Sequence, residues 1–544
     1  MKKVLALSCC LVMLLSVLVG CGLFDRDSGK TEESNSDIVE SGNTNADSEE
    51  EQEETDESDE SDETNEIDET NEIDETDEID ETDETDEADE TDENGYLLDS
   101  IPDDIDLKNK EIFIVGWTGS EEADIDFKAE ATSTDIITKS IYERNMAVQK
   151  RLNVKLNINN TIKGTNAQRS EYIATVENNL NSGVKYDIIA CYSQCAANFA
   201  MDGHLQDLMM YDSALDFEKP WWSSNMLESS VINDRLYFAS GSIAASDILQ
   251  TFVIAVNLDK VATFGVDDPR QLVKDNQWTL ETFKQMCKGV GSNVNEDDPG
   301  KDALDEFGFT TMDTVVGDAF FSGVGYKYMV ADSTGKLTLS DEFTGVMTDN
   351  LITDLVATFS GQDYMYAAGF ATFAEQRTLL YGTSFWQLRA SIGELGDFNY
   401  GYVPFPKYDT YQDRYYSISG FPFTMWGITS ACTNEDAEDA AYVMEALASE
   451  SYRTVQPAVY SSIKTKIGDD VVNKEMFDII ISAKCYDMGR IFHNVFNWAD
   501  SPVALFRARF YNGFEEGQGW SSLLAAHQEA LNSGVNSINS QFGY

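Results

Sequence analysis

Residues 235–283 decide the fold, and they read RLYFASGSIAASDILQTFVIAVNLDKVATFGVDDPRQLVKDNQWTLETF. Two apolar segments are separated by a polar loop, and the second segment ends in Asn257, Leu258 and Asp259. Gly265 and Pro269 follow, and then Trp278-Thr279. The pattern predicts a strand, a loop and a second strand, with a helix that begins at Thr279.

The chain before this stretch alternates short apolar segments with helical patterns. Residues 111–117 and 186–190 predict strands, because consecutive apolar residues are typical of parallel strands buried on both faces. Residues 138–152 and 171–180 have the apolar spacing of helices, and residues 154–158 alternate like a strand. This order predicts a doubly wound α/β lobe that leads into the stretch at 235–283.

Together, several motifs resemble the extracellular solute-binding proteins of ABC importers, the maltose-binding-like family 1. The family pattern has a Leu-Tyr strand (236–237 here), a strand that ends in Asn257 with Asp259, a Gly-Pro spacing (265 and 269) and Trp278-Thr279. Val256 stands where the family has tyrosine, and residues 401–407, GYVPFPK, resemble its return segment. The resemblance covers residues 107–544, and it implies an α/β fold of two lobes with hinge crossovers, of the periplasmic-binding-protein type II.

The resemblance also divides the chain. We expect a lipoprotein signal peptide at 1–20, an acidic low-complexity tether at 21–106, a first lobe from 107–252 and 400–456, and a second lobe from 253–399 and 457–544.

The implied function is the capture of a small solute, most often a sugar or oligosaccharide, between the lobes and its delivery to the permease subunits of an importer. Trp386 falls where the family's tryptophan stacks on sugar. Trp117 and Tyr192 follow two predicted strands, at the sheet edge where open α/β sheets bind ligands. Aromatic rings offer a flat apolar face to a sugar ring, and side-chain amides bind its hydroxyls. The candidate ligand-binding residues are Trp117, Tyr192, Gln194, Trp386, Phe421 and Trp426. We expect a monomer without a cofactor.

The first residues predict export and lipid anchoring. Lys2 and Lys3 precede an apolar segment at 4–19, which is short for a membrane-spanning helix. Residues 18–21, LVGC, resemble a bacterial lipobox, in which Cys21 receives a diacyl group and becomes the mature N-terminus. Two acyl chains anchor a protein stably. We therefore expect a protein on the extracellular face of the cell membrane, although a plain signal peptide or a membrane anchor remains the alternative.

Residues 22–106 contain 40 Asp and Glu against Arg26 and Lys30. Such a composition cannot bury enough apolar surface to offset its ordering entropy, and like charges keep it extended. We therefore predict a solvated spacer. The repeats lack the glycine of a calcium-binding loop.

Composition and motifs exclude several functions. The net charge of −61 argues against nucleic-acid binding, which needs a basic surface. Only three histidines occur, His204, His493 and His527, and no nucleophile elbow, Walker loop or dinucleotide motif is present. We predict no catalytic residue and no metal site. Two alternatives stay open: a cell-surface structural or adhesin lipoprotein, and a carbohydrate-active enzyme with paired carboxylates.

Two local features also leave alternatives open. Cys191 and Cys195 are four residues apart and are either paired or small buried apolar residues. Residues 293–305 have calcium-loop spacing, but Asp298 stands where glycine is needed, so a plain loop is the main prediction.

We expect Cys21→Ser to release the protein into the medium or to leave it unprocessed, because no thiol would carry the lipid. Fractionation of cells with metabolic labelling by a fatty acid checks this outcome. A variant that is still acylated and membrane-bound would contradict the lipobox.

Overall fold

A computed structural model describes residues 91–544, except 224, 295–300, 303, 313–314, 362, 366–368, 392, 396–397, 464–470 and 515–516. The predicted signal peptide, Cys21 and the tether up to residue 90 lie outside the described residues. Most of the 293–305 loop lies outside them as well.

The described strands are β1 (Lys110–Val115), β2 (Val154–Asn159), β3 (Ile188–Tyr192), β4 (Phe252–Asn257), β5 (Phe307–Thr311), β6 (Met329–Ala331), β7 (Leu337–Leu339), β8 (Tyr364–Met365), β9 (Thr378–Ser384), β10 (Tyr400–Val403) and β11 (Thr424–Ile428).

The described α-helices are α1 (Glu121–Asp124), α2 (Ile136–Arg151), α3 (Arg169–Asn181), α4 (Ser193–Met201), α5 (Met226–Ser230), α6 (Ala245–Leu249), α7 (Leu258–Phe264), α8 (Pro269–Lys274), α9 (Leu280–Cys287), α10 (Val316–Gly323), α11 (Asp341–Thr344), α12 (Val346–Phe359), α13 (Ala371–Ala374), α14 (Phe385–Ala390), α15 (Asn434–Arg453), α16 (Val455–Ile463), α17 (Val471–Ser482), α18 (Met488–Ile491), α19 (Pro502–Arg507) and α20 (Trp520–Gln541).

The strands form two main sheets, one in each lobe. The first has the order β11-β3-β1-β2, and β1, β2 and β3 are parallel while β11 is antiparallel to β3. The second has the order β10-β4-β9-β5-β8, with β4 antiparallel to both neighbours and β5 parallel to β8 and β9. The predicted two-lobe α/β fold is confirmed.

The second apolar segment and the helices of the stretch at 235–283 form as their local sequence predicts. The first apolar segment, predicted to be a strand, is not one, because it pairs with β11 only at the isolated bridge between Ala239 and Trp426. All six residues of β4 are buried, which explains their continuous apolar character. The Asn257 side chain accepts a hydrogen bond from the Lys260 amide and caps α7, and Gly265 ends that helix with a φ of 65°. Thr279 and Thr282 form a reciprocal capping box at the start of α9, as the Trp278-Thr279 motif predicts.

One boundary of the first lobe differs in the structure from the boundary that the resemblance implied. The resemblance assigned residues 400–456 to that lobe, but β10 pairs with β4 in the second sheet. The chain therefore returns to the first lobe after β10 and enters it as β11. At the other end of this segment, α16 packs on α2 and α15 of the first lobe, whereas α17 packs on β10.

The folded region also begins earlier than predicted, since the tether was expected to reach residue 106. Asp99 is almost fully buried and accepts two hydrogen bonds of 2.6 Å from Arg151. Burial alone raises the pKa of Asp99, but Arg151 and Ser449 bind its carboxylate and bring the pKa below its usual range. Ile101 is buried. Apolar residues and one paired carboxylate thus attach the end of this acidic segment to the first lobe.

Glu445 occupies an apolar site in the first lobe. Its two carboxylate oxygens accept hydrogen bonds of 2.8 Å from the indoles of Trp221 and Trp222. Burial raises the pKa of Glu445 to about 8, although these hydrogen bonds oppose the shift. The folded protein therefore holds this proton up to a higher pH than the unfolded chain does.

We expect the free energy of unfolding to fall as the pH rises from about 4.5 to about 8, by up to about 1.4 kcal/mol per pH unit from this group. Glu445→Gln should remove this contribution. Urea denaturation at several pH values measures it, with the exposed Glu438 of the same helix, changed to Gln, as the control. An unchanged slope in Glu445→Gln would contradict the assignment.

Candidate functional site

Three chain segments lie side by side between the lobes, and we call them the crossing segments. Thr251 pairs antiparallel with Ser419, and Ser417 pairs parallel with Lys484. Thr251 immediately precedes β4, Ser419 lies between β10 and β11, and Lys484 follows α17. Few residues therefore connect the two sheets, which is the arrangement that permits hinge motion.

The buried ammonium of Lys484 joins the crossing segments. Its Nζ donates to the carboxylate of Asp247 at 2.7 Å, to the Thr251 hydroxyl at 3.2 Å and to the Ser419 hydroxyl at 2.5 Å. The other oxygen of Asp247 accepts from the hydroxyl of Tyr486 at 2.7 Å. Burial lowers the pKa of Lys484, and Asp247 opposes the shift by stabilising the charged form.

The parallel strands of both sheets end at the crossing segments. At the carboxyl end of β3, Tyr192 pairs with Thr424, a few residues beyond Ser419. At the carboxyl end of β9, Ser384 pairs with Phe252, and the next amide donates to the Thr251 carbonyl at 3.2 Å. The edges at which open α/β sheets generally bind ligands therefore meet at one place in the two sheets.

Trp117 and Trp426, two of the sequence-predicted platforms, are buried. The Trp117 indole packs edge-on against Tyr192 at 5.2 Å and donates to the Thr424 hydroxyl at 3.0 Å. Thr424 in turn donates to Asp126, whose pKa burial raises. Neither tryptophan presents an open ring face in this conformation.

The structure brings Tyr192, Gln194 and Phe421 together. Tyr192 ends β3, and Gln194 lies in the first turn of α4. The Ser193 hydroxyl donates to the Phe421 carbonyl at 2.6 Å, which fixes Phe421 beside them. These three predicted residues lie at the inner edge of the first lobe.

Helices α18 and α19 place two arginines against this group. The guanidinium carbons of Arg490 and Arg507 lie 4.5 and 5.0 Å from the centre of the Phe421 ring. Both guanidiniums also donate from Nε to the buried carboxylate of Asp318 in α10, each at 2.7 Å. Although burial raises the pKa of Asp318, Arg507 and Arg490 hold it below its usual range.

His493 stacks on Phe421, with 5.9 Å between ring centres. Burial, and then the charge of Arg507, lower the pKa of His493 to about 3, so the ring is neutral at physiological pH. Burial raises the pKa of Tyr192, whereas Arg169, Arg490 and Arg507 act in the opposite direction. We call Arg169, Arg490 and Arg507 the arginine cluster.

Trp386 lies on α14 of the second lobe, and its ring is partly exposed. The guanidinium carbon of Arg389 is 5.8 Å from that ring. Arg389 also forms an ion pair with Asp135, which caps α2 of the first lobe. Trp386 therefore lies beside a contact between the lobes, two residues after the end of β9.

Sequence reasoning missed the arginine cluster and His493. The three arginines lie on α3, α18 and α19, and their spacing carries no motif. The only local signal is Asp487, which caps α18. Its side chain accepts from the Gly489 amide at 2.7 Å and from the Tyr328 amide at 2.6 Å, and burial raises the pKa of Asp487 to about 6.

Two cavities differ in their relation to these residues. One of about 10 Å³ lies beside Phe421 and Arg490, with room for about one water molecule. Another of about 480 Å³ is lined by Trp221, Tyr452 and Phe477, among others. None of the sequence-predicted site residues is among the described residues that line the larger cavity.

The described part of the chain bears on two further predictions. All five cysteines in it are free, so Cys191 and Cys195 are unpaired, and four of the five are buried. Within the same residues, no cluster of three His, Cys, Asp or Glu side chains is placed to hold a metal ion. No described helix combines the length and apolarity that crossing a membrane requires.

Comparisons with known proteins give similarities in structure only. No protein-family model matches the chain, and no curated protein matches its sequence. Apo RafE from Streptococcus pneumoniae is similar, with 15% identity, a TM-score of 0.45, and coverage of 80% of this chain and 98% of RafE. MalE from Bdellovibrio bacteriovorus bound to maltotriose has 11% identity and a TM-score of 0.43, with coverage of 79% and 99%.

UgpB from Mycobacterium tuberculosis in complex with glycerophosphocholine has 13% identity, a TM-score of 0.45, and coverage of 78% of this chain and 98% of UgpB. At such low identities and TM-scores, the chemistry of the site has to come from the residues of this chain.

We expect Lys484→Met to destabilise the protein by about 3–5 kcal/mol, because it leaves the Asp247 carboxylate buried without its cation. Adding Asp247→Asn should restore part of the loss, since it removes the unpaired charge. Urea denaturation measures both variants. The exposed pair Lys474–Asp478 supplies the control, where Lys474→Met should cost less than about 1 kcal/mol. Equal effects of the two lysine substitutions would contradict the role of Lys484.

Proposed function

We propose that the protein binds a small solute between its two lobes and delivers it to an ABC importer, without acting as an enzyme. One observation carries the proposal: the carboxyl ends of β3 and β9, in different sheets, meet at the crossing segments. Open α/β sheets bind ligands at these ends, and a hinge lets two such edges close on one solute.

The side chains at the meeting edges suit a polar organic solute. Phe421 and Trp386 are partly exposed aromatic rings, and Gln194 and the arginine cluster supply hydrogen-bond donors. Sugars combine apolar ring faces with hydroxyls, so a sugar or oligosaccharide is the proposed solute class.

The proposed location is the extracellular face of the cell membrane, with Cys21 lipidated and the acidic segment as a spacer. The motif at residues 18–21 and the composition of residues 22–90 support this part of the proposal. A tethered binding protein stays near the permease while its folded part remains free to meet solutes.

A panel that begins with the sugars raffinose and maltotriose and the phosphodiester glycerophosphocholine tests solute binding by thermal unfolding of the full chain. A solute at a hundredfold excess over its Kd should stabilise the protein by about 2.7 kcal/mol. Small-angle scattering should show a more compact shape, and chromatography should return the solute unchanged. Turnover of the solute would overturn the proposal.

We expect Trp386→Ala to weaken binding of that solute by roughly tenfold, because a stacking face is worth about 0.5–1.5 kcal/mol beyond the area it buries. The fold should persist, since the ring is partly exposed. Calorimetry gives the affinity, and Tyr411→Ala, at a residue that is 92% exposed, is the control. Wild-type affinity in Trp386→Ala would remove this residue from the site.

A further inference from the structure

We propose that the solute carries a negatively charged oxyanion group, a carboxylate, sulfate or phosphate, and that Arg490 binds this group where α18 packs on α4. The inference rests on the proposed function and names the chemical class of its solute.

One of the donor nitrogens of the Arg490 guanidinium forms no hydrogen bond with the described residues. Its Nε donates to Asp318 at 2.7 Å and its Nη1 donates to the Ser419 carbonyl at 2.8 Å. The residue is only 4% exposed, and its Nη2 has no hydrogen-bond partner among the described residues. A buried donor without an acceptor costs about 1–3 kcal/mol, and more when the group is charged. A ligand that supplies the acceptor recovers this free energy.

Gln194, on the facing lobe, also has a buried donor nitrogen without an acceptor among the described residues. Its Oε1 accepts from Arg169, and its backbone carbonyl accepts from Asn494 at 3.4 Å. Its Nε2 is buried and has no acceptor in the described part of the chain. Both unfilled atoms are therefore donors. A carboxylate, sulfate or phosphate oxygen only accepts, whereas a sugar hydroxyl brings a donor of its own.

The electrostatic field at this position is positive. The charged groups that most affect the pKa of the neutral His493 ring are the three guanidiniums of the arginine cluster and the carboxylate of Asp318. The carboxylate of Asp487, three residues before Arg490, accepts hydrogen bonds from two backbone amides. The first turn of α4, which contains Gln194, adds the positive end of a helix dipole. This excess of positive charge lies in a chain of net charge −61.

The anion would enter when the lobes separate. Arg490 belongs to the second-lobe side, because α18 packs on α19 and β6, and α19 packs on α10. Gln194 belongs to the first lobe. The cavity of about 10 Å³ beside Phe421 and Arg490 holds about one water molecule in the described conformation. Opening of the lobes would expose both unfilled donors to the solute, and closure would enclose its charged group between them.

Calorimetry with the full chain tests this on matched pairs: glucose against glucuronate, glucose 6-sulfate and glucose 6-phosphate, and the same four forms of galactose. We expect the preferred acidic form to bind at least tenfold more tightly than its neutral parent. Inorganic sulfate, titrated alone, shows how much affinity the oxyanion provides without the sugar, and we expect weaker binding than for the acidic sugar.

Arg490→Gln should abolish the preference for the acidic form, and Arg490→Lys should restore it only in part, because lysine keeps the charge without the planar fork. Gln194→Leu removes the second donor without removing a charge and should reduce the preference even if Arg490→Gln fails to fold. Arg414→Gln, at an exposed arginine paired with Glu228, is the matched control and should change nothing.

The outcomes separate the inference from the proposed function. Equal affinity for neutral and acidic forms would overturn the anion site and leave solute binding intact. Inorganic sulfate that binds as tightly as the acidic sugars would overturn the assignment to an organic solute. A panel in which neither neutral nor acidic solutes bind would count against both proposals.

Discussion

The ion pair between Lys484 and Asp247 is the interaction on which the two-lobe arrangement depends. It lies where the three crossing segments are adjacent, and its hydrogen bonds reach Thr251 and Ser419 as well. Both side chains are buried, so water cannot solvate either charge. Separating the pair would leave a buried charge without a partner, and this cost keeps the segments that carry the two residues adjacent. A network of this kind sets the register of the segments, while the small number of connecting residues leaves the lobes able to rotate.

Separate contacts then join the lobes on either side of this pair. Arg389 reaches Asp135 from α14, and Asn494 reaches the carbonyl of Gln194. Both contacts are partly exposed, so each contributes little free energy. Donors such as Arg490 Nη2 are buried in the described conformation and have no acceptor among the described residues. Under the proposed function, closure without a solute would therefore be costly, and a solute that supplied the acceptors would favour the closed form by its differential affinity for it.

The charge distribution has two opposing consequences for an anionic solute. The chain is strongly acidic, and its field repels anions at long range. Salt screens such repulsion beyond about 10 Å at 0.1 M ionic strength. Inside the site, Arg490 and Arg507 share the single carboxylate of Asp318, and low dielectric makes their attraction stronger than at the surface. Under the proposed function, local charge would therefore govern the affinity for an anionic solute.

Sequence by itself determined the local elements and the fold class. Asn257, Gly265 and Thr279 specify where helices end and begin, because caps and left-handed glycines act within a few residues of the chain. The uninterrupted apolar run of β4 specifies a strand buried on both faces. The position of Tyr192 and Gln194 at the carboxyl end of β3 could also be predicted from the sequence, since the residues that follow a parallel strand lie at the edge of the sheet.

Only the tertiary structure decided which aromatic rings are buried and which charges meet. Trp117 and Trp386 look alike in the sequence, yet one is enclosed in the core and the other is partly exposed, because burial depends on neighbours distant along the chain. In the sequence, Asp99 cannot be distinguished from the acidic residues of the tether, and only the structure shows that it pairs with Arg151. Arg490 and Gln194 are about three hundred residues apart, and contacts over such separations leave no periodic pattern in the sequence.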